Sequence, residues 1–383
     1  MHGAPLQVKT GQTAPAVVQV NYAFDGALRD PDALLNRYAT LTGWSDAIAS
    51  AGARRSAVVQ RFHRRAHLVR NGVDYLFVDR GVANAVAALQ PDVAHVNGLT
   101  FPVHTWRLRR ALPRSTAIVA QNHSDTGPMG RAPMFRVAGR ATRSAVDAFL
   151  FAADEHVARW RRAGFIGPAQ RTYQVMESST RMEPIDRARA RTASGVSGAP
   201  AMLWVGRLNA NKDPLTVLDA FESAAASLPG ATLTMVYGTS ELIDDVRARL
   251  GRSRALDDRV RLAGAVAHND LPAFFSAADL FLVGSHHEGS GYALLEALAC
   301  GATPVVTDIP TFRLLTGGGT IGALWTAGDA SDCARAIGAA SRRIADADRA
   351  RVREHFIKHV SWAEIGRRAL EIYVEIWHAC RDR

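Results

Sequence analysis

Two glutamates separated by seven residues lie in a glycine-rich stretch of the chain, residues 285–296 (SHHEGSGYALLE). Gly289 and Gly291 allow a ligand to approach the backbone closely. Where such a loop enters a helix, unpaired N–H groups and the positive end of the helix dipole favour phosphate. Glu288 lies on the loop and can accept hydrogen bonds from sugar hydroxyls, whereas Glu296 lies one turn into the helix and can bind a ribose diol. For either glutamate alone, a glycine turn followed by a helix start is an equally good explanation.

A second stretch, residues 206–214 (GRLNANKDP), carries two cations on one strand-to-helix loop. Arg207 and Lys212 could clamp a diphosphate, the arginine as a planar fork and the lysine as a point charge. Lys212 is unusual because only three of the 46 basic residues are lysine. Asp213 before Pro214 predicts a helix N-cap. That cap explains the loop without a ligand, but it does not exclude a phosphate.

Both stretches follow short apolar runs, and such runs alternate with helical patterns along the chain. In the first half we predict strands over 16–22, 56–62, 92–98, 116–123 and 147–153, with a hairpin at Asn71-Gly72. After the Gly- and Pro-rich stretch 192–200 we predict strands over 201–208, 231–238, 259–264, 279–285 and 303–308, and then a helical tail. This alternation predicts two α/β domains with parallel sheets joined by that stretch. Ligands bind such sheets beyond the carboxyl ends of strands, where both chemical stretches lie.

Composition restricts the class of protein. A length of 383 residues predicts two domains, each large enough to bury a core. The apolar and charged fractions, 48% and 21%, exclude a disordered tail or a collagen-like fibre. No run of about 18 apolar residues occurs and the N-terminal sequence lacks a secretory pattern. We therefore expect a cytoplasmic protein, either soluble or peripherally associated with the inner face of the membrane. The three widely spaced cysteines argue against a disulfide framework or a zinc site.

The formal net charge is +10, which favours anionic partners. Arginines cluster in the first half, at Arg54, Arg55, Arg61, Arg64, Arg65, Arg107, Arg109, Arg110, Arg131, Arg136, Arg140 and Arg143. They are either solvated residues of an arginine-biased chain or a surface for an anionic bilayer or a phosphorylated or lipid-linked acceptor. The sequence alone leaves both interpretations open.

A family resemblance joins these observations. The sequence EGSGYALLEALACGATPVV resembles the E-x7-E signature of retaining glycosyltransferases of family 4, and GRLNANKD resembles their diphosphate-binding loop. Residues 264–285 are similar to the segment of these glycosyltransferases that lies near the base and ribose of the nucleotide. The resemblance implies the GT-B fold, in which two Rossmann-like domains face a donor cleft. Residues 1–190 would form the acceptor-side domain, 200–360 the nucleotide-sugar domain, and the C-terminal helix 362–383 would cross back onto the first.

The resemblance also implies a donor-binding set, made of Arg207, Lys212, Glu288, Gly289, Ser290, Gly291, Tyr292 and Glu296. Arg207 and Lys212 would bind the diphosphate, and Glu296 the ribose. Glu288 and the amides after it would hold the donor sugar.

In the first domain, His123 in the sequence QNHSD matches a strand-end histidine that contacts the transferred sugar in the family. The catalytic set is then Glu288, His123, Arg207 and Lys212. His95 and Asn97 in HVNG are a weaker match.

Two segments depart from the family pattern. The loop after the first strand has one glycine, Gly26, where the family has a pair, and residues 175–180 (VMESST) replace a motif that reads PNG-V-D.

From these residues we predict an enzyme that transfers a sugar from a UDP- or GDP-type nucleotide sugar to a hydroxyl acceptor. We expect retention of configuration and no required cofactor or metal, since the two cations and the helix dipole can neutralise the leaving diphosphate. A nucleotide-sugar epimerase is the main alternative. A nicotinamide oxidoreductase lacks support because no G-x-G-x-x-G follows the first strand of either half. A nucleic-acid-binding protein lacks a recognition motif despite the charge, so we expect no nucleic-acid partner.

Overall fold

A computed structural model describes residues 14–123, 127–128 and 133–383 of the chain. Within these ranges the strands are β1 (Ala16–Asn21), β2 (Arg55–Arg61), β3 (Ala66–Arg70), β4 (Val73–Val78), β5 (Val93–Asn97), β6 (Ala117–Gln121), β7 (Ala148–Phe151), β8 (Arg171–Gln174), β9 (Ala201–Gly206), β10 (Thr232–Tyr237), β11 (Val260–Gly264), β12 (Leu280–Val283), β13 (Thr303–Thr307) and β14 (Ala323–Trp325).

The helices alternate with the strands. They are α1 (Pro31–Arg37), α2 (Ala39–Ser50), α3 (Val82–Ala88), α4 (Pro102–Ala111), α5 (Pro133–Thr142), α6 (Asp154–Arg162), α7 (Arg187–Ser194), α8 (Pro214–Ala225), α9 (Ile243–Gly251), α10 (Arg254–Asp257), α11 (Leu271–Ala277), α12 (Tyr292–Ala299), α13 (Pro310–Leu315), α14 (Ala330–Ser341), α15 (Asp346–His359) and α16 (Trp362–Arg381). No helix in the described ranges is both long and apolar enough to span a membrane.

The chain divides into two compact units, one formed by Met1–Ser178 with Trp362–Arg383 and the other by Ser179–Ser361. This division lies earlier in the sequence than the predicted end of the first domain at residue 190. Helix α7 belongs to the second unit because Arg187 and Arg191 both bind the buried carboxylate of Asp279 there. The stretch 192–200, predicted to join the domains, instead lies within the second unit and leads from α7 into β9.

The first unit is built on an eight-stranded sheet with the order β3-β4-β2-β1-β5-β6-β7-β8. All neighbouring strands are parallel except β3 and β4, which form the hairpin predicted at Asn71-Gly72. Asn71 and Gly72 have φ of 51° and 75°, as a two-residue turn with both central residues in the left-handed region requires. Strand β8 was not predicted, because its four residues RTYQ are mostly polar.

The C-terminal helix α16 packs along α2 within this unit. Two glycines allow the helices to approach closely. A Cβ at Gly366 would lie 2.3 Å from the carbonyl oxygen of Ala47, and a Cβ at Gly43 would lie 2.4 Å from the Trp362 ring. Tyr373 of α16 is fully buried at this contact. Helix α16 is therefore part of the core of the first unit.

The second unit is built on a parallel six-stranded sheet with the order β11-β10-β9-β12-β13-β14. The four central strands, β10, β9, β12 and β13, are buried on both faces, as covering helices require, whereas the edge strands β11 and β14 are partly exposed. Strand order reverses between β9 and β12, and in the first unit it reverses between β1 and β5. Ligands of α/β sheets bind at such reversals, beyond the carboxyl ends of the strands. The predicted α/β class is confirmed.

Candidate functional site

The loops that follow β9 and β12 meet because these two strands are neighbours in the second sheet. The His286 amide donates to the backbone oxygen of Asn211 at 2.9 Å, and the His287 amide donates to the Asn211 side-chain oxygen at 3.2 Å. Gly284 is required at this approach, since a Cβ there would lie 3.0 Å from the carbonyl oxygen of Asp213. The two stretches singled out in the sequence are therefore joined at the strand-order reversal.

Lys212 and Glu288 form an ion pair across these loops. Both side chains are largely buried, with 20% and 14% of their surfaces exposed. The Ser285 hydroxyl donates to Glu288 Oε1 at 2.7 Å, and the Thr311 hydroxyl donates to the Glu288 backbone oxygen, also at 2.7 Å. The residues predicted to bind diphosphate and sugar are thus in direct contact, and Glu288 is fixed by both its side chain and its backbone.

Arg207 lies on the same loop but is exposed. Its guanidinium has no hydrogen-bond or ion-pair partner among the residues that the structure describes. The predicted cap beside it is present, since the Asp213 carboxylate accepts from the Thr216 amide at 3.3 Å and Pro214 occupies the first turn of α8. Asp213 also lies 3.2 Å from His286 Nε2. The loop is held by its own residues, which leaves Arg207 available to a ligand.

Helix α12 begins directly after the glycine-rich loop. Gly291 precedes it with φ of 64°, and a Cβ there would come within 3.0 Å of the Leu315 side chain. The loop residues Gly289 and Ser290 and the first helical residue, Tyr292, lie at the same edge of the sheet as Glu288. The start of α12 therefore faces the reversal point with its first-turn N–H groups.

Glu296 lies in the second turn of α12 and is almost fully buried. Burial raises the pKa of its carboxyl group to about 7. His268 Nδ1 lies 3.9 Å from Glu296 Oε1. The Glu296 carboxyl group therefore changes its charge near neutral pH, unlike an ordinary glutamate.

In the first unit, His123 lies just after β6 and binds the buried carboxylate of Glu177, with 2.6 Å between His123 Nδ1 and Glu177 Oε2. His123 Nε2 lies 3.4 Å from the side-chain oxygen of Asn97, at the end of β5. The remaining residues of the QNHSD motif, Ser124 and Asp125, lie outside the described residues. His123 is thus held between a carboxylate and an amide, one strand away from the strand-order reversal of this unit.

A buried hydrogen-bond chain lies behind His123. Trp44 Nε1 donates to the Tyr373 hydroxyl at 3.1 Å, so the Tyr373 proton is directed to His95 Nδ1. His95 then carries its proton on Nε2 and donates to the Asn97 side-chain oxygen at 3.1 Å. The Asn97 amide group in turn donates to the Asn21 side-chain oxygen at 2.6 Å. Complete burial lowers the pKa of His95 to about 3, so the imidazole stays neutral. Each group in this hydrogen-bond chain therefore donates to the next, from Trp44 to Asn21.

Three of these site residues were missed in the sequence. Glu177 lies in the stretch 175–180, whose departure from the family pattern was its only signal. Tyr373 gave no signal, because it lies on a helix far from His95 in the sequence. Ser285 was quoted only as the start of a motif. No group of His, Cys, Asp and Glu side chains in the described part of the chain is arranged to hold a metal ion.

Residues 199–342 match the family model for glycosyl transferases group 1. This segment includes both loops and helix α12. The chain is 34% identical over 113 residues to mannosylfructose-phosphate synthase of Agrobacterium fabrum, covering 28% of this chain and 25% of that protein. It is 33% identical over 120 residues to GDP-mannose:cellobiosyl-diphosphopolyprenol alpha-mannosyltransferase of Xanthomonas campestris, covering 31% of each. The chain thus spans a third or less of these curated relatives, and neither is named as an epimerase.

The fold resembles that of a sucrose-phosphate synthase from Thermosynechococcus elongatus, with a TM-score of 0.66 and 17% identity. The likeness covers 95% of this chain and 100% of the other. Both units of the chain therefore follow the two-domain α/β architecture of that enzyme, which is the fold that the sequence resemblance implied.

Proposed function

We propose that this chain is a glycosyltransferase that moves a sugar from a nucleotide-diphosphate sugar to a hydroxyl acceptor. The observation that carries the proposal is the Lys212–Glu288 pair at the carboxyl ends of β9 and β12. Lys212 supplies a cation for phosphate, and Glu288 supplies a carboxylate for sugar hydroxyls. The two groups are in contact, as binding of a diphosphate and the sugar attached to it would require. The match of residues 199–342 to glycosyl transferases group 1 supports the same activity.

Arg207, Lys212 and the start of α12 would bind the diphosphate. Arg207 supplies a fork of donors, Lys212 a point charge, and the first turn of α12 a partial positive charge. A phosphate oxygen that binds Lys212 competes with Glu288 for the ammonium group. The carboxylate of Glu288 is then free to accept hydrogen bonds from the donor sugar.

Glu296 would bind the ribose. A carboxylate accepts two hydrogen bonds from a ribose diol only when it is ionised, whereas a carboxylic acid also donates. Because the pKa of Glu296 is raised to about 7, donor binding would strengthen as the pH rises through neutrality.

His123 would contact the transferred sugar, with Glu177 and Asn97 as the groups that position it. Glu177 binds Nδ1, so the ring has one favoured orientation and presents Nε2 away from the carboxylate. This role rests on the family resemblance and on the place of His123 beside Asn97, which ends strand β5 at the strand-order reversal of the first unit.

We propose that transfer retains the anomeric configuration and needs no metal. The bond between the sugar carbon and the phosphate oxygen breaks, its electron pair stays on the diphosphate, and the acceptor oxygen bonds to the same face of the sugar. The departing phosphate oxygen takes the acceptor proton. The cations at Arg207 and Lys212 stabilise the charge that develops on the leaving group.

The proposal is tested in two steps. A thermal-shift screen with UDP, GDP, ADP and dTDP identifies the base, since a ligand at 100 times its Kd stabilises the chain by about 2.7 kcal/mol. The matching nucleotide sugars are then incubated with hydroxyl acceptors, including sugar phosphates and polyprenol-linked glycans. We expect release of nucleoside diphosphate together with a glycosylated product. Conversion of the donor to an isomeric nucleotide sugar, with no acceptor product, would instead establish an epimerase.

Proton NMR of the fresh product decides the stereochemistry. From an α-linked donor we expect an α-linked product, and an initial β product would refute retention. Activity in EDTA should equal activity in Mg²⁺. A loss in EDTA that Mg²⁺ or Mn²⁺ restores would refute the metal-free part separately.

A further inference from the structure

The helices α4 and α5 of the first unit lie in a strongly basic stretch of the chain. Between Asp92 and Asp147 the sequence holds eight arginines and a single acidic residue, Asp125. Asp125 and one of the arginines, Arg131, lie outside the described residues. The two helices pack against each other. The two helices themselves carry five of these arginines and no acidic residue, so their net charge is positive.

Large apolar side chains are exposed on the same helices. On α4, Val103 and Trp106 are 39% and 40% exposed, and their spacing places them on one helix face with Arg110. The Arg110 guanidinium lies over the Trp106 ring, 5.2 Å from its centre. On α5, Met134 and Val137 are 83% and 66% exposed. Apolar side chains exposed singly are ordinary, whereas several of them on two adjacent helices indicate a partner with an apolar layer.

Six of the arginines of this stretch fall into two groups. Arg109 is turned inward, where it donates to the carbonyl oxygen of Thr116 at 2.8 Å, and Arg140 donates to the carbonyl oxygen of Ala163 at 3.0 Å. By contrast, some exposed arginines have no acidic partner within the described ranges, namely Arg107, Arg110, Arg114 and Arg143. The second group is free to bind anions outside the protein.

We propose that the α4–α5 face, defined by Val103, Trp106, Arg107, Arg110, Met134 and Val137, binds the surface of an anionic lipid bilayer. Arginines reach the lipid phosphates, while a tryptophan and aliphatic side chains enter the boundary between headgroups and acyl chains. A nucleic acid would satisfy the arginines but would leave Met134 and Val137 in water. This inference does not depend on the proposed function, because it requires neither a nucleotide nor an acceptor.

The test is cosedimentation of the full chain with vesicles of phosphatidylcholine alone or with 30% phosphatidylglycerol. We expect binding to the anionic vesicles only, weakened by salt. Arg107→Gln with Arg110→Gln should weaken it about thirtyfold, since each arginine near a charged bilayer contributes a free energy equivalent to roughly fivefold. Trp106→Ser with Met134→Ser should weaken it about tenfold while leaving the charge unchanged.

Arg342 and Arg343, exposed on the second unit, provide a matched control. Changing both to glutamine removes the same charge and should leave vesicle binding intact. Equal losses in this control and in the α4 variant would show nonspecific attraction by net charge and overturn the proposal. So would wild-type binding by the Trp106→Ser/Met134→Ser variant, or binding to DNA that depends on the same arginines and exceeds binding to the vesicles.

Discussion

The ammonium group of Lys212 and the carboxylate of Glu288 bind each other although 76 residues separate them in the sequence. Neighbouring strands β9 and β12 bring them together, and Ser285 holds the carboxylate from the other side at 2.7 Å. The pair links the residue proposed for the diphosphate to the residue proposed for the sugar. Changing either one therefore alters the electrostatic environment of the other.

Replacing Lys212 tests this coupling. Lys212→Met keeps the aliphatic stem but should weaken nucleoside diphosphate binding tenfold or more, since a charge-assisted hydrogen bond is worth about 1.5–3 kcal/mol. It should also lower the free energy of unfolding by about 1–3 kcal/mol, because the largely buried carboxylate of Glu288 loses its partner. Calorimetric titration and thermal unfolding measure the two effects.

The double variant Lys212→Met/Glu288→Gln separates them. It should recover most of the lost stability, since no unpaired carboxylate remains, while diphosphate binding stays weak. Recovery of both properties together would show that Lys212 acts on the ligand only through the fold.

Substitutions of the two glutamates of the motif should have different effects. Glu296→Gln should weaken binding of the free nucleotide, because the amide supplies only one acceptor to the ribose diol. Glu288→Gln should bind free nucleotide at least as tightly as the wild type, because Lys212 no longer has a competing carboxylate, but should depress transfer. Nucleotide titrations and initial rates distinguish them. An equal loss of nucleotide affinity in both variants would contradict the division.

The raised pKa of Glu296 predicts a pH dependence. The ionised fraction of a group of pKa about 7 falls about tenfold between pH 8 and pH 6, so nucleotide-sugar affinity should fall by the same factor. A nucleotide sugar is the right probe, because its diphosphate stays fully ionised over this range. Glu296→Gln should remove the dependence. A wild-type affinity that is constant from pH 8 to pH 6 would contradict the role of Glu296.

The same group affects stability in the opposite direction. Below about pH 4.5 the Glu296 carboxyl is neutral in both the folded and the unfolded chain, whereas above about pH 7 it is charged in both. Burying the charge costs free energy, so this contribution to stability is present at low pH and is lost as the pH rises through about 7. Glu296→Gln should therefore stabilise the chain, relative to the wild type, more at pH 8 than at pH 5.

Tyr373 should act on transfer through His95 and Asn97. Tyr373→Phe removes the hydroxyl between Trp44 and His95, which leaves two buried nitrogens without a partner and frees His95 to change its tautomer. We expect kcat to fall about tenfold with the KM for the donor unchanged, because the loops proposed to bind the donor lie on the second unit.

Tyr173→Phe is the matched control. Its hydroxyl donates to Glu375 of the same helix α16 at 2.8 Å, but that hydrogen bond lies at the surface. This variant should leave kcat near the wild-type value. If both tyrosine variants lower kcat equally, the effect comes from the stability of α16 and not from the buried hydrogen-bond chain.

The sequence picked out most residues of the candidate site in the second unit because its chemistry is local. Arg207 and Lys212 share one loop, and Glu288, Gly291 and Glu296 share one motif. Parallel-sheet topology then placed both loops at one edge. The Lys212–Glu288 contact itself was not predictable, because it depends on which strands become neighbours, and strand order cannot be read from alternation alone.

The first unit was predicted less completely. His123 was found only by resemblance, and its partner Glu177 lies in a stretch without a recognisable motif. The hydrogen-bond chain depends on Tyr373, which packing brings to His95 across more than half of the sequence. The stretch 192–200 has the composition of a linker, but a glycine-rich stretch can end a helix as well as join two domains. The contacts of Arg187 and Arg191 with Asp279, which place α7 in the second unit, cannot be read from the sequence.

Calorimetric titration of UDP and GDP into the wild-type chain and Arg207→Ala tests the central claim most directly. Arg207 is the exposed cation at the reversal point, and Arg252→Ala, also exposed on the second unit, is the matched control. We predict that one of the two diphosphates binds the wild type and Arg252→Ala equally, and binds Arg207→Ala at least tenfold more weakly. The corresponding nucleoside should bind all three proteins with equal affinity. Failure of both diphosphates to bind the wild-type chain, or equal binding to Arg207→Ala, would contradict the account.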